Sequence, residues 1–336
     1  MQSFLRFRLY SRASMIAAMA YGLVCIAPQP SAAQGTYPNH PVRVIVPLGV
    51  GSASDVGTRV LTDALSQVTG QSFFVENRPG AAGNLGMAAG AKATPDGYTL
   101  VSGGFGITVL SQFMYTPEQM GFDPVKDLEP IILMGRTPMM IAASPSFAPN
   151  NIQELIAAAR AKPGTINVAM ANTTARLVFE LFSKSTGTSL FPILYKTTGA
   201  AVTDTISGIV SVNVDTLSAL RPQLISSGGR LKPIAVTTRK STDLLPNVTS
   251  VAEQGVADFE LVGYISLYGP KGMPREAINY LNAELNKILL LPETKKRFDA
   301  LGLEPGGGTP KDLADFEAAQ RALWGPLIKK ANITPQ

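Results

Sequence analysis

Glycines and hydroxyl side chains lie together in the loop that follows the first predicted strand. The loop leads into a predicted helix, whose first turn has unpaired backbone N–H groups and a partial positive charge that attracts carboxylates. Glycines let the backbone approach a ligand closely, and serines add hydroxyl donors. We therefore predict an anion-binding loop here, with Asp55 capping the helix rather than touching the ligand. The predicted ligand-binding residues are Val50, Gly51, Ser52, Ala53 and Ser54.

Two other interpretations of the same loop stay open. It nearly matches the dinucleotide-binding fingerprint, and Glu76 ends the second predicted strand about where a ribose-binding acid would lie. Ser54 replaces the third glycine, however, and a secreted chain rarely holds a soluble nicotinamide cofactor. A nicotinamide-dependent dehydrogenase is therefore a remote alternative. The other alternative is that the loop is an ordinary strand–helix turn that binds no ligand.

A second loop of the same type lies in the middle of the chain. Asn172, Thr173 and Thr174 join a strand that ends at Met170 to a helix that begins near Arg176. These side chains can cap that helix or bind an anion, and capping is the commoner use. Two such helix starts facing one cleft would hold the two ends of a dicarboxylate.

The residue inventory excludes most catalytic machinery. The chain has one histidine, His40, which we expect in a surface turn before the first strand, and one cysteine, Cys25. A Ser-His-Asp triad and a Cys/His zinc site therefore lack residues. No lysine directly follows a glycine, so there is no Walker phosphate loop. We expect no enzyme activity, no cofactor and no metal.

The first 33 residues have the features of a secretory signal peptide. Arg6, Arg8 and Arg12 precede the apolar run 15–27, and Ser31-Ala32-Ala33 supplies small residues for cleavage. The run is too short to span about 30 Å of hydrocarbon, which disfavours a retained membrane anchor. The chain has 29 basic and 24 acidic residues, a net charge of +5. Removal of the signal peptide takes away three arginines and lowers the net charge to +2. Neither nucleic acid nor an anionic membrane is therefore expected as a partner.

Strand-like and helix-like segments alternate along the rest of the chain, which predicts an α/β fold. No Pro/Gly-rich linker divides it, so we expect the chain to cross twice between two lobes, near 131–143 and 259–268. A flexible loop is predicted at 306–308, between the last helices. The predicted strands are 42–47, 72–75, 98–102, 166–170, 190–194, 210–214 and 233–236, and the main helices are 56–68, 151 onward, 176–184, 276–290 and 311–331.

Several segments, in order, resemble a known family. The chain is similar from Tyr37 to Ile333 to the extracytoplasmic solute receptors of tripartite tricarboxylate transporters, often called the Bug family. The most specific match is Val75-Glu76-Asn77-Arg78-Pro79-Gly80-Ala81-Ala82-Gly83-Asn84-Leu85-Gly86. Further matches are Asp96-Gly97-Tyr98-Thr99-Leu100, Asp123-Pro124-Val125-Lys126-Asp127, Lys162-Pro163-Gly164, Tyr195-Lys196 and Leu281-Asn282-Ala283-Glu284. We interpret the stretch 76–83 as structural, because its Pro and Gly residues specify turns.

The resemblance implies a two-lobed periplasmic-binding-protein (Venus flytrap) fold with two crossover segments and a ligand cleft between lobes. Residues 34–137 and 266–336 would form lobe 1, and residues 138–265 lobe 2. The cleft would take a small carboxylate, and a monomeric periplasmic receptor would deliver it to the transporter's membrane permease. A ligand-presenting component for a signalling receptor is the alternative. The implied site comprises the two loops above with Gly104, Phe105, Arg176 and Asp215.

Departures from the family pattern suggest the kind of carboxylate. Phe105 and Ile107 replace small hydroxyl residues that are common in the third loop, which would make the pocket more apolar. Arg176 occupies the position of a usual histidine and would add a two-point donor for a carboxylate. An aromatic or other hydrophobic carboxylate fits both changes. The alternative for Arg176 is a solvent-facing side chain on an amphipathic helix, with no role in binding.

The signal peptide gives the first testable prediction. Cleavage after Ala33 should leave a soluble periplasmic protein that begins near Gln34. N-terminal sequencing of the exported protein checks this. An intact Met1 on a membrane-bound protein would contradict it.

Overall fold

Alternating segments of the chain form one mixed sheet with helices packed against it. The computed structural model describes residues 37–224 and 229–330, so the predicted signal peptide and Ala331 lie outside the described residues. The strands are β1 Val42–Val46, β2 Phe73–Asn77, β3 Thr99–Gly104, β4 Leu128–Ala143, β5 Asn167–Met170, β6 Phe191–Leu194, β7 Val212–Thr216, β8 Lys232–Val236, β9 Val262–Pro270 and β10 Glu304–Gly307.

Eleven α-helices connect these strands in the described part of the chain. A 3₁₀ turn at Ala81–Gly83 and a π-helical segment at Phe105–Leu110 precede two of them. The helices are α1 Ala53–Thr69, α2 Asn84–Ala91, α3 Ser111–Met114, α4 Pro117–Met120, α5 Ile152–Ala161, α6 Thr173–Thr186, α7 Thr198–Ile206, α8 Leu217–Leu224, α9 Arg275–Leu290, α10 Pro292–Ala300 and α11 Pro310–Lys330. None of these helices is both long and apolar enough to cross a membrane.

The sheet has two halves that share strand β4. In the first half, β2, β1 and β3 run parallel, and β9 pairs antiparallel with β3. In the second half, β6, β5 and β7 run parallel, and β7 and β8 pair antiparallel with β4. Mixed pairing with helices between parallel strands confirms the predicted α/β class.

Strand β4 is the long element that joins the halves. Its 16 residues pair with β9 from Leu128 to Pro138 and with β7 and β8 from Met139 onward. The crossing predicted near 131–143 therefore lies within β4, and the one near 259–268 overlaps β9. The predicted boundaries of the two lobes themselves stay a prediction.

The first helix shows how local signals position the site. Val60, Leu61 and Leu65 are buried and follow the helical period predicted for this segment. Gly70 ends the helix in the left-handed conformation, with φ of 69°, and its N–H bonds to the carbonyl of Ser66. Because both ends of α1 are specified locally, the loop before it has a defined place at the carboxyl end of β1.

One predicted loop is wrong. Gly306 and Gly307 lie in strand β10, which pairs antiparallel with β4. A Cβ atom on Gly306 would lie 2.2 Å from the carbonyl oxygen of Leu133. Glycine at this position allows a close backbone approach, so the Gly run marks strand pairing rather than flexibility.

A buried carboxylate holds the C-terminal helix against the sheet. Glu317 of α11 is 4% exposed, and its Oε1 accepts hydrogen bonds from the hydroxyls of Thr108, Tyr264 (3.2 Å) and Tyr268 (2.5 Å). Burial and the negative charge of Glu317 raise the pKa values of Tyr264 and Tyr268 well above the usual value for tyrosine. Glu317 therefore connects α11, β9 and the π-helical segment.

Removing this acceptor should destabilise the fold. Glu317→Ala removes an acceptor that three buried hydroxyls share, and we expect a loss of about 3 kcal/mol in the free energy of unfolding. Glu317→Gln keeps an acceptor oxygen and should cost about 1 kcal/mol. Asp315→Ala, on the exposed face of the same helix, is the matched control and should change little. Urea unfolding measures all three, and equal losses for Glu317→Ala and Asp315→Ala would contradict the assignment.

Candidate functional site

A cavity lies where the two halves of the sheet meet. It is bordered by the first turns of α1 and α6, the end of β3, the end of β7 and the crossing strands β4 and β9. Nine of the twelve predicted site residues line it: Ser52, Ala53, Ser54, Gly104, Phe105, Asn172, Thr173, Thr174 and Asp215. This placement agrees with the general rule that open α/β sheets bind ligands at the carboxyl ends of their strands.

The start of α1 is capped so that its first donors face the cavity. Ser52 is the N-cap residue, and its hydroxyl accepts from the N–H of Asp55 at 3.3 Å. The carboxylate of Asp55 accepts from the N–H of Gly51 at 2.9 Å and contacts Arg59 and Asn77. Ser52 is therefore the N-cap residue, and Asp55 contributes to the cap, as predicted, by accepting from the backbone ahead of the helix.

Two first-turn donors of α1 remain for a ligand. The cap takes the N–H of Asp55, and the carbonyl of Ser52 takes that of Val56 at 3.0 Å. The N–H groups of Ala53 and Ser54, which both line the cavity, have no acceptor in the helix or its cap. They are suitably placed to donate to an anion.

The start of α6 repeats this arrangement from the other half of the sheet. Asn172 is the N-cap residue, and its side-chain oxygen accepts from the N–H of Ala175 at 2.8 Å. The helix begins at Thr173, not near Arg176 as predicted, because Asn172 caps it three residues earlier. The hydroxyl of Thr173 is buried without a hydrogen-bond partner among the described residues. This hydroxyl lines the cavity and is therefore available to a ligand there.

Asp215 orients the second helix start. It is 2% exposed, and its carboxylate accepts from the Asn172 amide at 2.9 Å, the Thr198 hydroxyl at 2.9 Å and the N–H of Thr216 at 2.7 Å. Burial raises the pKa of this carboxyl, and the three hydrogen bonds oppose the rise. Because Asn172 donates to Asp215, its oxygen is fixed toward the N–H of Ala175.

The third edge of the cavity is narrow and apolar. Gly104 has φ of +156°, and a Cβ atom there would lie 2.2 Å from the carbonyl oxygen of Tyr264. A Cβ on Gly106 would lie 2.7 Å from the hydroxyl oxygen of Thr174, so this edge packs directly against the start of α6. Phe105 and Ile107 are buried and line the cavity, as the prediction of an apolar pocket requires.

Three predicted residues lie outside this cavity. Val50 is 68% exposed, and Gly51 is the left-handed turn residue (φ +84°) ahead of the cap. Arg176 lines a neighbouring cavity that shares Leu48, Asn172 and Thr173 with the first. Because Arg176 is only 7% exposed, it is not a solvent-facing side chain.

The electrostatics of the cavity come from backbone dipoles rather than from basic side chains. Its lining, taken from the described residues, contains no lysine, arginine or histidine, and Asp215 is the one carboxylate. The same part of the chain has no cluster of three His, Cys, Asp or Glu residues that could hold a metal. Helix starts, hydroxyls and apolar walls together suit a small organic anion.

Comparisons with known proteins agree with this architecture. A family model described as the tripartite tricarboxylate transporter family receptor matches residues 58–333. The chain belongs to this receptor family. A relative from Bordetella bronchiseptica, described as a UPF0065 protein, is 34% identical over 306 residues, which cover 91% of this chain and 90% of the relative.

Solved structures confirm the predicted receptor fold. The structure of R. palustris Rpa4515 with adipate superposes with a TM-score of 0.86 at 31% identity, covering 89% of this chain and 100% of that chain. The periplasmic binding protein BugD superposes with a TM-score of 0.83 at 30% identity over the same shares. The receptor is therefore a two-lobed binding protein of the family that the sequence motifs suggested, and that family is not one of enzymes.

Sequence reasoning missed the part of the lining that the crossing strands supply. Thr137 and Met139 come from β4, and Gly263, Tyr264 and Ile265 come from β9. The two segments were predicted as crossings, but which of their side chains face the cleft depends on the β4–β9 register. Leu48, which directly follows a predicted strand, and Thr216, which lies two residues beyond another, were also missed.

Asp215 gives a prediction on pH dependence. A raised pKa means that the folded state holds its proton above the usual range of about 3.9, so the parent protein loses stability as pH rises past that value. Asp215→Asn has no such proton. Its free energy of unfolding relative to that of the parent should therefore increase as the pH rises above about 4.

Urea unfolding at several pH values measures this difference. Asp243→Asn, at an exposed position, is the control and should show no comparable trend. A difference between Asp215→Asn and the parent that stays constant with pH would contradict the assignment.

Proposed function

We propose that this receptor captures a small carboxylate in the cleft and delivers it, in the periplasm, to a tripartite tricarboxylate-type permease. The observation that carries this proposal is that two helix starts from different halves of the sheet border one cavity, and that the second of them contributes the buried hydroxyl of Thr173. The structure of R. palustris Rpa4515, a similar protein, contains adipate. Its bound carboxylate supports this ligand class.

The magnitudes favour an anion over a neutral ligand. One helix start stabilises a negative charge by about 0.3–1 kcal/mol, and up to about 2 kcal/mol in partly buried sites. Hydrogen bonds to a charged group contribute about 1.5–3 kcal/mol each. The N–H groups of Ala53 and Ser54 and the hydroxyl of Thr173 can together outweigh the cost of removing a carboxylate from water.

The apolar walls of the cavity favour a ligand with an apolar carbon skeleton. Phe105, Ile107, Met139 and Ile265 line it and are each 5% exposed or less. Burying apolar ligand surface against them contributes about 25 cal/mol per Å². We therefore infer an apolar or aromatic carboxylate rather than a ligand covered with hydroxyl groups.

Closure of two lobes, 34–137 with 266–336 and 138–265, would enclose the ligand. The two sides of the cleft are already in contact: a Cβ on Gly49 would lie 3.1 Å from the Cβ of Thr197, and a Cβ on Gly106 would lie 2.7 Å from the hydroxyl oxygen of Thr174. Strands β4 and β9 continue through the junction and provide the hinge. Hinged domains of this kind close around ligands.

The two other functions receive less support. Glu76, the candidate ribose-binding acid of a dehydrogenase, is paired with Arg43 at 3.1 Å and with Arg78, and these partners lower its pKa. Its carboxylate is thus engaged within the fold. A ligand-presenting sensor would use the same cleft, and it differs from a transport receptor in its protein partner alone.

The Thr173 hydroxyl allows a direct test of the site. Thr173→Val keeps the shape and removes the donor, so we expect carboxylate affinity to fall about tenfold, roughly 1.4 kcal/mol. The unliganded protein should be as stable as the parent or more stable, because a buried hydroxyl without a partner is costly. Titration calorimetry with adipate and thermal unfolding without ligand measure the two effects.

Thr58→Val is the matched control. The Thr58 hydroxyl is also buried without a partner among the described residues, but it lies outside the cavity lining. Its replacement should leave affinity unchanged. Binding by Thr173→Val that is as tight as that of the parent would refute the assigned contact.

A further inference from the structure

The single tryptophan of the chain lies directly behind the wall of the proposed ligand cavity. Trp324 belongs to α11, and the described lining of the cavity takes no residue from that helix. Its ring meets that of Phe105 edge-on, with 5.7 Å between the centroids and an interplanar angle of 63°. Phe105 is 2% exposed and lines the cavity. One side chain therefore separates Trp324 from the space where the ligand would bind.

The position of Phe105 depends on contacts with other rings. Gly104 and Gly106 flank it in the chain and have no side chains to pack against its ring. Its aromatic neighbours are Tyr264 and Trp324, at 5.6 and 5.7 Å between centroids. Aromatic pairs at such separations attract each other beyond the area that they bury. Loss of Trp324 should therefore free Phe105 to leave its place in the wall.

Helix α11 is fixed where it presents Trp324. The guanidinium of Arg321 donates to the carbonyl of Thr108 at 3.4 Å. One residue beyond the tryptophan, a Cβ atom on Gly325 would lie 2.9 Å from the ring of Phe113, so the helix approaches α3 closely. These contacts hold α11 against the π-helical segment and α3, and they keep the indole ring in place.

The far side of this wall opens to the surface. A groove of about 280 Å³ lies along α11, and its lining includes Leu323 and Trp324. Gly263 and Tyr264 line both this groove and the cavity. A single layer of β9 residues therefore separates the two spaces there, and the groove has room for the ring of Phe105 if Trp324 is removed.

We propose that Trp324 is a positioning residue for ligand binding. It keeps Phe105 in the cavity wall, and a ligand that packs against Phe105 changes the surroundings of Trp324 in turn. Coupling between two sites is reciprocal, so the contact that supports affinity also transmits occupancy to the surface of α11. The inference rests on the proposed function, because it concerns affinity for the carboxylate in the cleft. It adds a residue outside the cavity that governs this affinity.

Titration calorimetry with adipate as the probe tests the positioning role. Trp324→Ala removes the ring behind Phe105 and should weaken adipate binding about two- to tenfold, the range expected for one aromatic pair. Trp324→Phe keeps a ring there and should restore most of the parent affinity. Leu323→Ala, at a 54% exposed position in the same groove, is the matched control and should bind adipate as the parent does.

Fluorescence of the single tryptophan tests the coupling. Saturating adipate should change the emission of Trp324 in the parent protein, although this residue does not line the cavity. In Phe105→Leu, saturated with adipate as judged by calorimetry, the change should be largely lost, because the ring that transmits it is absent. A change that persists in Phe105→Leu would show that another route, such as movement of the lobes, produces it, and would overturn the proposal.

The other outcomes are equally decisive. Parent-like adipate affinity in Trp324→Ala, or equal losses in Trp324→Ala and Leu323→Ala, overturns the positioning role. If Trp324→Ala does not fold, the fluorescence of the parent and of Phe105→Leu decides. A parent protein that binds adipate with no change in emission overturns this inference alone, whereas a parent that binds no adipate contradicts the proposed function itself.

Discussion

Backbone N–H groups in the first turn of a helix need acceptors, and this need governs the organisation of the cleft. Parallel strands bring helix starts to the same edge of a sheet, and here two such edges from different halves meet in one cavity. Ser52 and Asn172 cap the two helices but satisfy only part of each first turn. In the function we propose, the remaining donors bind the anion without any basic side chain in the lining, and buried apolar surroundings strengthen these hydrogen bonds by excluding water.

Supporting contacts keep this arrangement fixed. Asp215 holds the cap of α6, and the Asp55 network holds the loop before α1. Glu317 of the C-terminal helix accepts hydrogen bonds from Tyr264, which lines the cavity, and from Thr108 of the π-helical segment. Rigid walls matter for the proposed site, because the strength of a hydrogen bond falls steeply when its geometry is lost. The long strand β4 connects the two halves of the sheet.

Sequence alone could predict those features that depend on neighbouring residues. The strand–loop–helix pattern located the two helix starts that border the cavity, and Gly70 ends the first helix as predicted. Features set by distant pairing could not be predicted. The Gly306–Gly307 segment was interpreted as a loop because its strand partner, β4, is far away in the chain. Arg176 was assigned to the ligand site from the family resemblance, and the structure places it in the lining of the neighbouring cavity, which shares Asn172 and Thr173 with the first. Tyr264 was missed because its orientation depends on the β4–β9 register.

The central claim is that helix starts and hydroxyls in the cleft recognise the negative charge of a carboxylate. Titration calorimetry of the mature protein with adipate and with adipamide, its uncharged counterpart of nearly equal shape, tests this claim most directly. The account predicts that adipate binds and that adipamide binds at least about a hundredfold more weakly, because the charge-dependent hydrogen bonds are lost. Equal affinity for the two compounds would contradict it.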